Sequence, residues 1–230
     1  MTAGTPATRR CARLWRVAGS IVLAIVFFAE TPAKAGQTVL KDVTRTEAVH
    51  FWPDVYRNGG ETLYCRQPFT VRLGLTMTHV YAPEWVARQL GCEDIAQCRQ
   101  TVPAFAYIES DLHNLYPARL GTDDARGELP FGFVPGDRRD FGQDCIFKVD
   151  PARGLAQPPV PARGDIARAI LYMMWEYGLA LPRSMTVDLL RAWNREDPVT
   201  ADERRRNDAI AAIQGNRNPF VDTPELADRF

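Results

Sequence analysis

A chain of 230 residues that is 46% hydrophobic has enough apolar mass for a real core. Its 28 Lys/Arg against 28 Asp/Glu exclude a protein that grips nucleic acid by bulk positive charge. It carries no internal repeat and no low-complexity tract.

The first 35 residues read as a secretory leader: Arg9, Arg10, Arg13 and Arg16 form a cationic start, Val17 to Ala29 an apolar run, and Ala33-Lys34-Ala35 a small-x-small cleavage site. The apolar run is too short for a comfortable membrane span, and no later stretch is long and apolar enough to be one. The expected mature protein is exported, with no membrane contact after cleavage, rather than held by an uncleaved anchor. Its 195 residues, 36 to 230, suit one domain. The leader takes five of the Lys/Arg and one of the Asp/Glu, leaving 23 against 27 and a net charge of −4. Phosphate binding must then rely on a local basic patch or a metal.

Thr44 to Arg57 places Ala48, Val49, Trp52, Val55 and Tyr56 at near-helical spacing, with Pro53 as a blemish and Asn58-Gly59-Gly60 as the stop. Phe69 to Val80, rich in Val, Thr, Leu and Phe, predicts a strand or a hairpin bent at Gly74. Pro83-Glu84-Trp85 opens a brief helix. Leu120 to Pro161 is dense in Gly, Pro and Asp and reads as long surface loops around a short strand at Cys145 to Val149. The last third is helical. Gly164 to Tyr177 puts Ile166, Ala169, Ile170, Met173 and Met174 on one face, Ser184 caps a second segment containing Met185, Leu189, Leu190 and Trp193, and Thr200-Ala201-Asp202-Glu203 is a capping box for a third helix that Gly215 stops. The Met and Trp residues here read as core rather than cofactor contacts.

Cys11 lies in the leader, so Cys65, Cys92, Cys98 and Cys145 remain, and an oxidising compartment turns four cysteines into two disulfides with three pairings open. Cys92 and Cys98 enclose a short loop and are natural partners, which leaves Cys65 with Cys145 across a loop worth ~4 kcal/mol in the entropy model. A structural zinc on four thiolates is the competing reading, and the lack of tight paired C-x-x-C spacings counts against it.

Of the three histidines, His50 has no ligand-like company and reads as structural or surface. His79 closes the apolar strand in "LTMTHVYAPEW", where a strand end can present an imidazole to a cleft. "ESDLHNLYPA" gathers Asp111, His113 and Asn114 beside Leu112 and Leu115, and on a helix Asp111 and Asn114 would share a face. A carboxamide oxygen is a hard, neutral ligand suited to Mg²⁺ or Ca²⁺. Phosphodiester cleavage needs little more than a base for water and a metal for the developing charge.

"MTHVYAPEW", "ESDLHNLYPA", "PPVPARGDIARAILYM", "LLRAWNREDPVTADERRRNDAI" and "QGNRNPFVD" together resemble the bacterial endonuclease I family, periplasmic or secreted nucleases of the His-Me finger (ββα-metal) class, from about residue 45 to 222. The resemblance implies an α+β fold, a predominantly helical single domain with a small ββα-metal motif and long loops. It further implies that His79 is the general base, that Asn114 is a metal ligand on the helix of that motif, and that Asp111 and His113 hold the helix face in register behind it. The implied cofactor is one divalent ion, Mg²⁺ first, with Ca²⁺ or Mn²⁺ as alternatives. The implied partner is DNA, with RNA beside it, cut to 5′-phosphates; backbone contacts carry no base sequence, so cleavage is expected to be non-specific, and the oligomeric state stays open with a monomer favoured.

Two departures stand out. The glutamate that precedes the catalytic histidine in better-known members, where it is a second metal ligand, is Thr78 here, a neutral and weaker ligand. The family's Asn-Gly-Asp-Arg pattern appears as Asp123-Asp124-Ala125-Arg126, keeping only Arg126. Arg126 and Arg217 are the expected phosphate contacts, with Arg163, Arg168, Arg204, Arg205 and Arg206 as further cations for a groove. The loss at Thr78 leaves a second expectation, a catalytically weakened secreted protein that binds nucleic acid on the same fold.

Overall fold

The computed structural model describes residues 1–4 and 36–230; the leader expected over 1–35 lies almost wholly outside them. Residues 36 to 230 belong to one compact unit, helical for the most part, with three separate two-stranded antiparallel sheets among the described residues.

The first helical segment forms where the spacing predicts it, but its winding changes. Helix α1 (Val43–Thr46) starts from Asp42, whose side chain accepts from Arg45 N, and passes into a π-helical stretch, Glu47–Val55, that contains Pro53. Proline has no N–H to give an α-turn, and the wider winding closes instead through bonds such as Tyr56 N to Phe51 O at 3.1 Å. Strands β1 (Gly60–Glu61) and β2 (Pro68–Phe69) follow, paired with each other. The bent hairpin expected over Phe69 to Val80 is therefore replaced by two different partnerships. Its start pairs backwards with β1, while β3 (Leu75–His79) pairs forward with β4 (Leu115–Arg119), in the register Leu75 with Arg119 and His79 with Leu115.

Between β3 and β4 lie helices α2 (Pro83–Gln89), α3 (Ile95–Thr101) and α4 (Pro103–Glu109), two of them opened by proline at the first position. Asp111 and Asn114 do not share a helix face. Asp111 caps a single 3₁₀ turn, Leu112–Asn114, which runs straight into β4. Leu120 to Arg126, expected as loop, is helix α5, joined to β4 without a break. A seven-residue helix with a glycine and two aspartates has little intrinsic preference to announce it. Strands β5 (Lys148–Asp150) and β6 (Leu155–Gln157) form the third hairpin, so the short strand lies slightly later than Cys145 to Val149.

Helix α6 (Val160–Tyr177) is buried along most of its length and packs on α7 (Val187–Glu196). The two approach closely because Gly164 has no side chain, and a Cβ there would sit 2.0 Å from the Asp197 carbonyl. Thr186, not Ser184, caps α7, accepting from Leu189 N. Helix α8 (Ala201–Gln214) opens on the Thr200/Glu203 capping box and ends at Gly215 in the left-handed region, and α9 (Pro219–Asp222) follows. Met173, Met185 and Trp193 are core, as read, whereas Trp175 is 45% exposed. Both disulfides form as the spacing suggested, Cys92–Cys98 and Cys65–Cys145, the latter across 80 residues.

At the start of the unit, Gly36 lies with positive φ against the ring of Tyr177, and Gln37 is buried, its backbone N–H donating to the Tyr177 hydroxyl at 3.2 Å.

Candidate functional site

The last residue of β3 is His79, and three groups fix its backbone and ring. Arg126, only 2% exposed, donates to the carbonyls of His79 and Val80, both at 2.7 Å, and to Leu129 O at 3.2 Å, with its guanidinium between the rings of Trp85 and Phe131. This is the residue expected to bind phosphate, and its donors are instead spent on the protein's own chain. Asn114 does related work. Its Oδ1 accepts from Tyr81 N at 2.7 Å and its Nδ2 donates to Tyr81 O at 2.9 Å, while its backbone carbonyl accepts from Val80 N. The amide thus acts as a further rung of the β3–β4 ladder just beyond the histidine. It is 1% exposed, and the expectation that it ligates a metal meets a side chain with both ends occupied.

The imidazole is held by Nε2, 2.9 Å from Glu109 O. A carbonyl only accepts, so Nε2 carries the hydrogen and Nδ1 keeps an unshared lone pair. Glu109 is anchored in turn by a two-point ion pair with Arg99, at 2.9 and 2.6 Å. Burial pushes the His79 pKa below its usual value, against the raising effects of the Glu109 carbonyl and of the nearby Glu109 and Asp123 carboxylates.

Asp123 comes from the middle of α5 and reaches the same place. Each of Asp123 and His79 feels the charge of the other, and the nearby Thr78 hydroxyl works against burial by lowering the Asp123 pKa. Thr78 is buried, and 3.3 Å away from its oxygen lies the hydroxyl of Tyr64. Desolvation is the largest influence on Asp123 and raises its pKa, and it forms no ion pair among the described residues. The arrangement is a desolvated carboxylate that forms no ion pair among the described residues yet feels the charge of Arg126, beside a neutral imidazole, where β4 meets α5.

Asp111 and His113 face elsewhere. Asp111 is fully buried, accepting from Tyr172 and Tyr177 hydroxyls at 2.7 and 2.6 Å on one oxygen, and from His113 N and Gln214 Nε2 on the other. His113 packs against the ring of Tyr172, its Nε2 is 3.2 Å from Asn216 O, and burial pulls its pKa down to about 4. The polar cluster of "ESDLHN" therefore joins the 3₁₀ turn to α6 and to the exit of α8, leaving only Glu109 at the histidine. Arg217 spends its guanidinium on Asp222 and Asp208. Arg168 is buried on Glu203, the half-buried Arg206 lies over the ring of Tyr116 and donates to the Leu115 carbonyl, and Arg163 and Arg205 pair with Glu196 and Asp202. His50 pairs with Asp54 on its own helix, in keeping with a structural or surface role.

Sequence reasoning missed Asp123 and Arg99 as parts of this site, and weighed Glu109 only as a carboxylate to supplement Asn114, not as the carbonyl that holds the imidazole. The signal for Asp123 was present, because it begins the tetrad whose last member, Arg126, retained the family pattern.

A family model described as endonuclease I matches residues 77–225 of the chain. Among curated relatives, an extracellular deoxyribonuclease of Aeromonas hydrophila is 40% identical over 119 residues, 51% of either chain. A periplasmic deoxyribonuclease of the same organism is also 40% identical over 119 residues, 51% of this chain and 49% of the relative. An extracellular ribonuclease of Bacillus amyloliquefaciens is 31% identical over 138 residues, 53% of this chain and 46% of the relative. The chain spans about half the length of the curated relatives it matches.

Proposed function

Because the chain belongs to the endonuclease I family, we propose that it is an exported, metal-dependent endonuclease that hydrolyses phosphodiester bonds of DNA, and of RNA, without base specificity, leaving 5′-phosphates. Residues 36–230 are its nuclease domain, and the β3–β4–α5 unit is its ββα-metal motif. The observation that carries this reading is the His79 imidazole at the end of β3, held through Nε2 by the Glu109 carbonyl and within electrostatic reach of Asp123. Relatives named as extracellular or periplasmic nucleases, together with two disulfides, support export.

The donor set fits a hard divalent cation. No group of three or more His, Cys, Asp or Glu side chains is arranged to hold an ion among the described residues, which disfavours a protein-enclosed site. Mg²⁺ suits the alternative, since it keeps several waters and takes one or two carboxylates together with substrate phosphate oxygens. Asp123 is that carboxylate, replacing Asn114 as the assigned ligand, and Thr78 orients it. Family members pair a glutamate before the histidine with an asparagine where Asp123 stands. This chain pairs a hydroxyl with a carboxylate, so the single negative charge has moved from the strand to the helix. That conservation of charge removes the main support for a catalytically weakened binding protein.

In the reaction, His79 Nδ1 accepts a proton from a water in line with the scissile P–O3′ bond. Burial keeps the imidazole neutral and able to accept at pH 7. The Glu109 carbonyl, already bonded to Nε2–H, steadies the imidazolium as the proton arrives, and Arg126 and Asn114 keep the strand end from shifting. A bound divalent ion supplies neutralisation of the charge that builds on the phosphoryl and leaving oxygens.

Relaxation of supercoiled plasmid by the mature chain, with Mg²⁺, Mn²⁺ or EDTA, tests the proposal. Cleavage should vanish with EDTA, with His79→Ala and with Asp123→Ala. Retention of plasmid without cleavage at every metal level would establish the binding protein instead.

A further inference from the structure

A second concave surface lies at the opposite end of β3 from His79. The π-helical segment and the turn after β2 enclose a groove of roughly 550 Å³, lined by Trp52, Tyr56, Phe69, Arg57 and Arg72. The three aromatic rings stand 6.2 to 6.4 Å apart, centre to centre, at steep mutual angles. The Arg72 guanidinium lies 5.6 Å from the centre of the Trp52 ring, and Arg72 has no carboxylate partner among the described residues. Arg57 is 70% exposed; its Nε donates to the Pro53 carbonyl at 2.9 Å and its Nη2 pairs with Asp54 at 3.5 Å, leaving Nη1 toward solvent. At the rim, Val71 and Leu73 stand 71% and 93% exposed, apolar side chains held in water.

We infer that this groove is a subsite for an unpaired base of the substrate strand, laid on the partly exposed rings of Tyr56 and Phe69 beside the buried Trp52, with its flanking phosphates against Arg57 and Arg72. Partly exposed rings beside exposed guanidinium groups match a nucleotide on both counts, a π-face for the base and positive charge for the backbone. A carboxylate-rich or purely aliphatic partner would leave one of the two features unused. The placement agrees with the proposed chemistry, on which this inference rests. Leu75 and Met77 pack with Trp52 and Phe69 in one apolar cluster. Strand alternation puts His79 on the same face two positions further on. Leu75 to His79 spans about 13 Å at ~3.3 Å per residue, about four nucleotides at stacked spacing. Arg119, exposed and opposite Leu75 in the register, lies along that path. A base held there would fix which phosphodiester reaches His79, favouring frayed or single-stranded segments over intact duplex.

The test is binding of the mature chain to a fluorescent decathymidylate in EDTA, where no cleavage occurs, beside an abasic strand of the same length. The wild type should prefer the strand with bases about tenfold, as expected for one to two stacking contacts. Arg57→Glu and Arg72→Glu should each weaken decathymidylate binding about fivefold or more and flatten its salt dependence by about one phosphate contact. Arg229→Glu, at the exposed far end of the chain, should do neither. Equal affinity for the abasic strand, or both groove reversals within about twofold of the wild type, overturns the inference. Because no metal is present, these outcomes are separate from the nuclease reading, which fails only if the wild type does not cut in Mg²⁺ or Mn²⁺.

Discussion

Replacing Asn114 separates a ligand from a structural clamp. In Asn114→Ala, the buried N–H and C=O of Tyr81 lose partners at 2.7 and 2.9 Å. Each orphaned buried group costs about 1–3 kcal/mol, so the variant should lose roughly 4 kcal/mol. With a urea slope near 2 kcal/mol per molar, the unfolding midpoint of the oxidised protein should fall by about 2 M. Asn114→Asp sharpens the contrast. An aspartate keeps the acceptor for Tyr81 N but turns an oxygen toward Tyr81 O, so it should be no more stable than the alanine variant. A metal ligand would behave in the opposite way, because the added charge would tighten divalent binding. Midpoints shifted by less than about 0.5 M, together with weakened Mn²⁺ binding in the alanine variant and strengthened binding in the aspartate, would refute the clamp.

Other consequences follow from the same geometry. Asp123→Asn should lower Mn²⁺ affinity at least about tenfold without loss of stability, since it removes a carboxylate that burial disfavours, and adding Thr78→Glu should restore cleavage at low metal. Failure of the double variant to recover any activity at saturating metal would count against the charge transfer from strand to helix. Arg126→Met should cost several kcal/mol through the carbonyls of His79 and Val80, lowering thermal stability as well as turnover; a rise in KM alone, with stability intact, would restore the phosphate role. His113 gives a pH signature. Its folded pKa, near 4, lies below the ordinary 6.5, so its contribution is complete above pH 6.5 and is lost as pH falls toward 4, about 3 kcal/mol in all. Asp165, whose carboxyl burial pushes up to about 8, runs the other way, so the readable quantity is the wild type minus His113→Phe. A difference that stays flat between pH 6.5 and 4 would show that His113 is not buried neutral.

The sequence made the helical last third legible because capping boxes, glycine stops and apolar stripes are local signals. Thr200, Glu203 and Gly215 act where they were read. The disulfide partners were legible from loop lengths alone. Strand pairing was not, since β3 meets β4 across three intervening helices and nothing local encodes that partner. The same non-locality misplaced the chemistry. "DLHN" looks like a ligand cluster when read as one helix, but Asp111 turns to Tyr172 and Tyr177 while Asn114 turns to Tyr81, because a 3₁₀ turn and a strand send them apart. Asp123 was hidden in a stretch rich in turn-forming residues, where only the attachment to β4 makes α5 a helix.

The contact between Gly36 and Tyr177 bears on how residues 36–230 can be produced on their own. A start methionine in place of Gly36 would need a Cβ 2.0 Å from a ring carbon of Tyr177 and a backbone conformation that side chains rarely adopt. Moving that ring would pull its hydroxyl off Asp111 and loosen the joint among the 3₁₀ turn, α6 and α8. An affinity tag belongs at the other terminus, or ahead of a glycine left untouched.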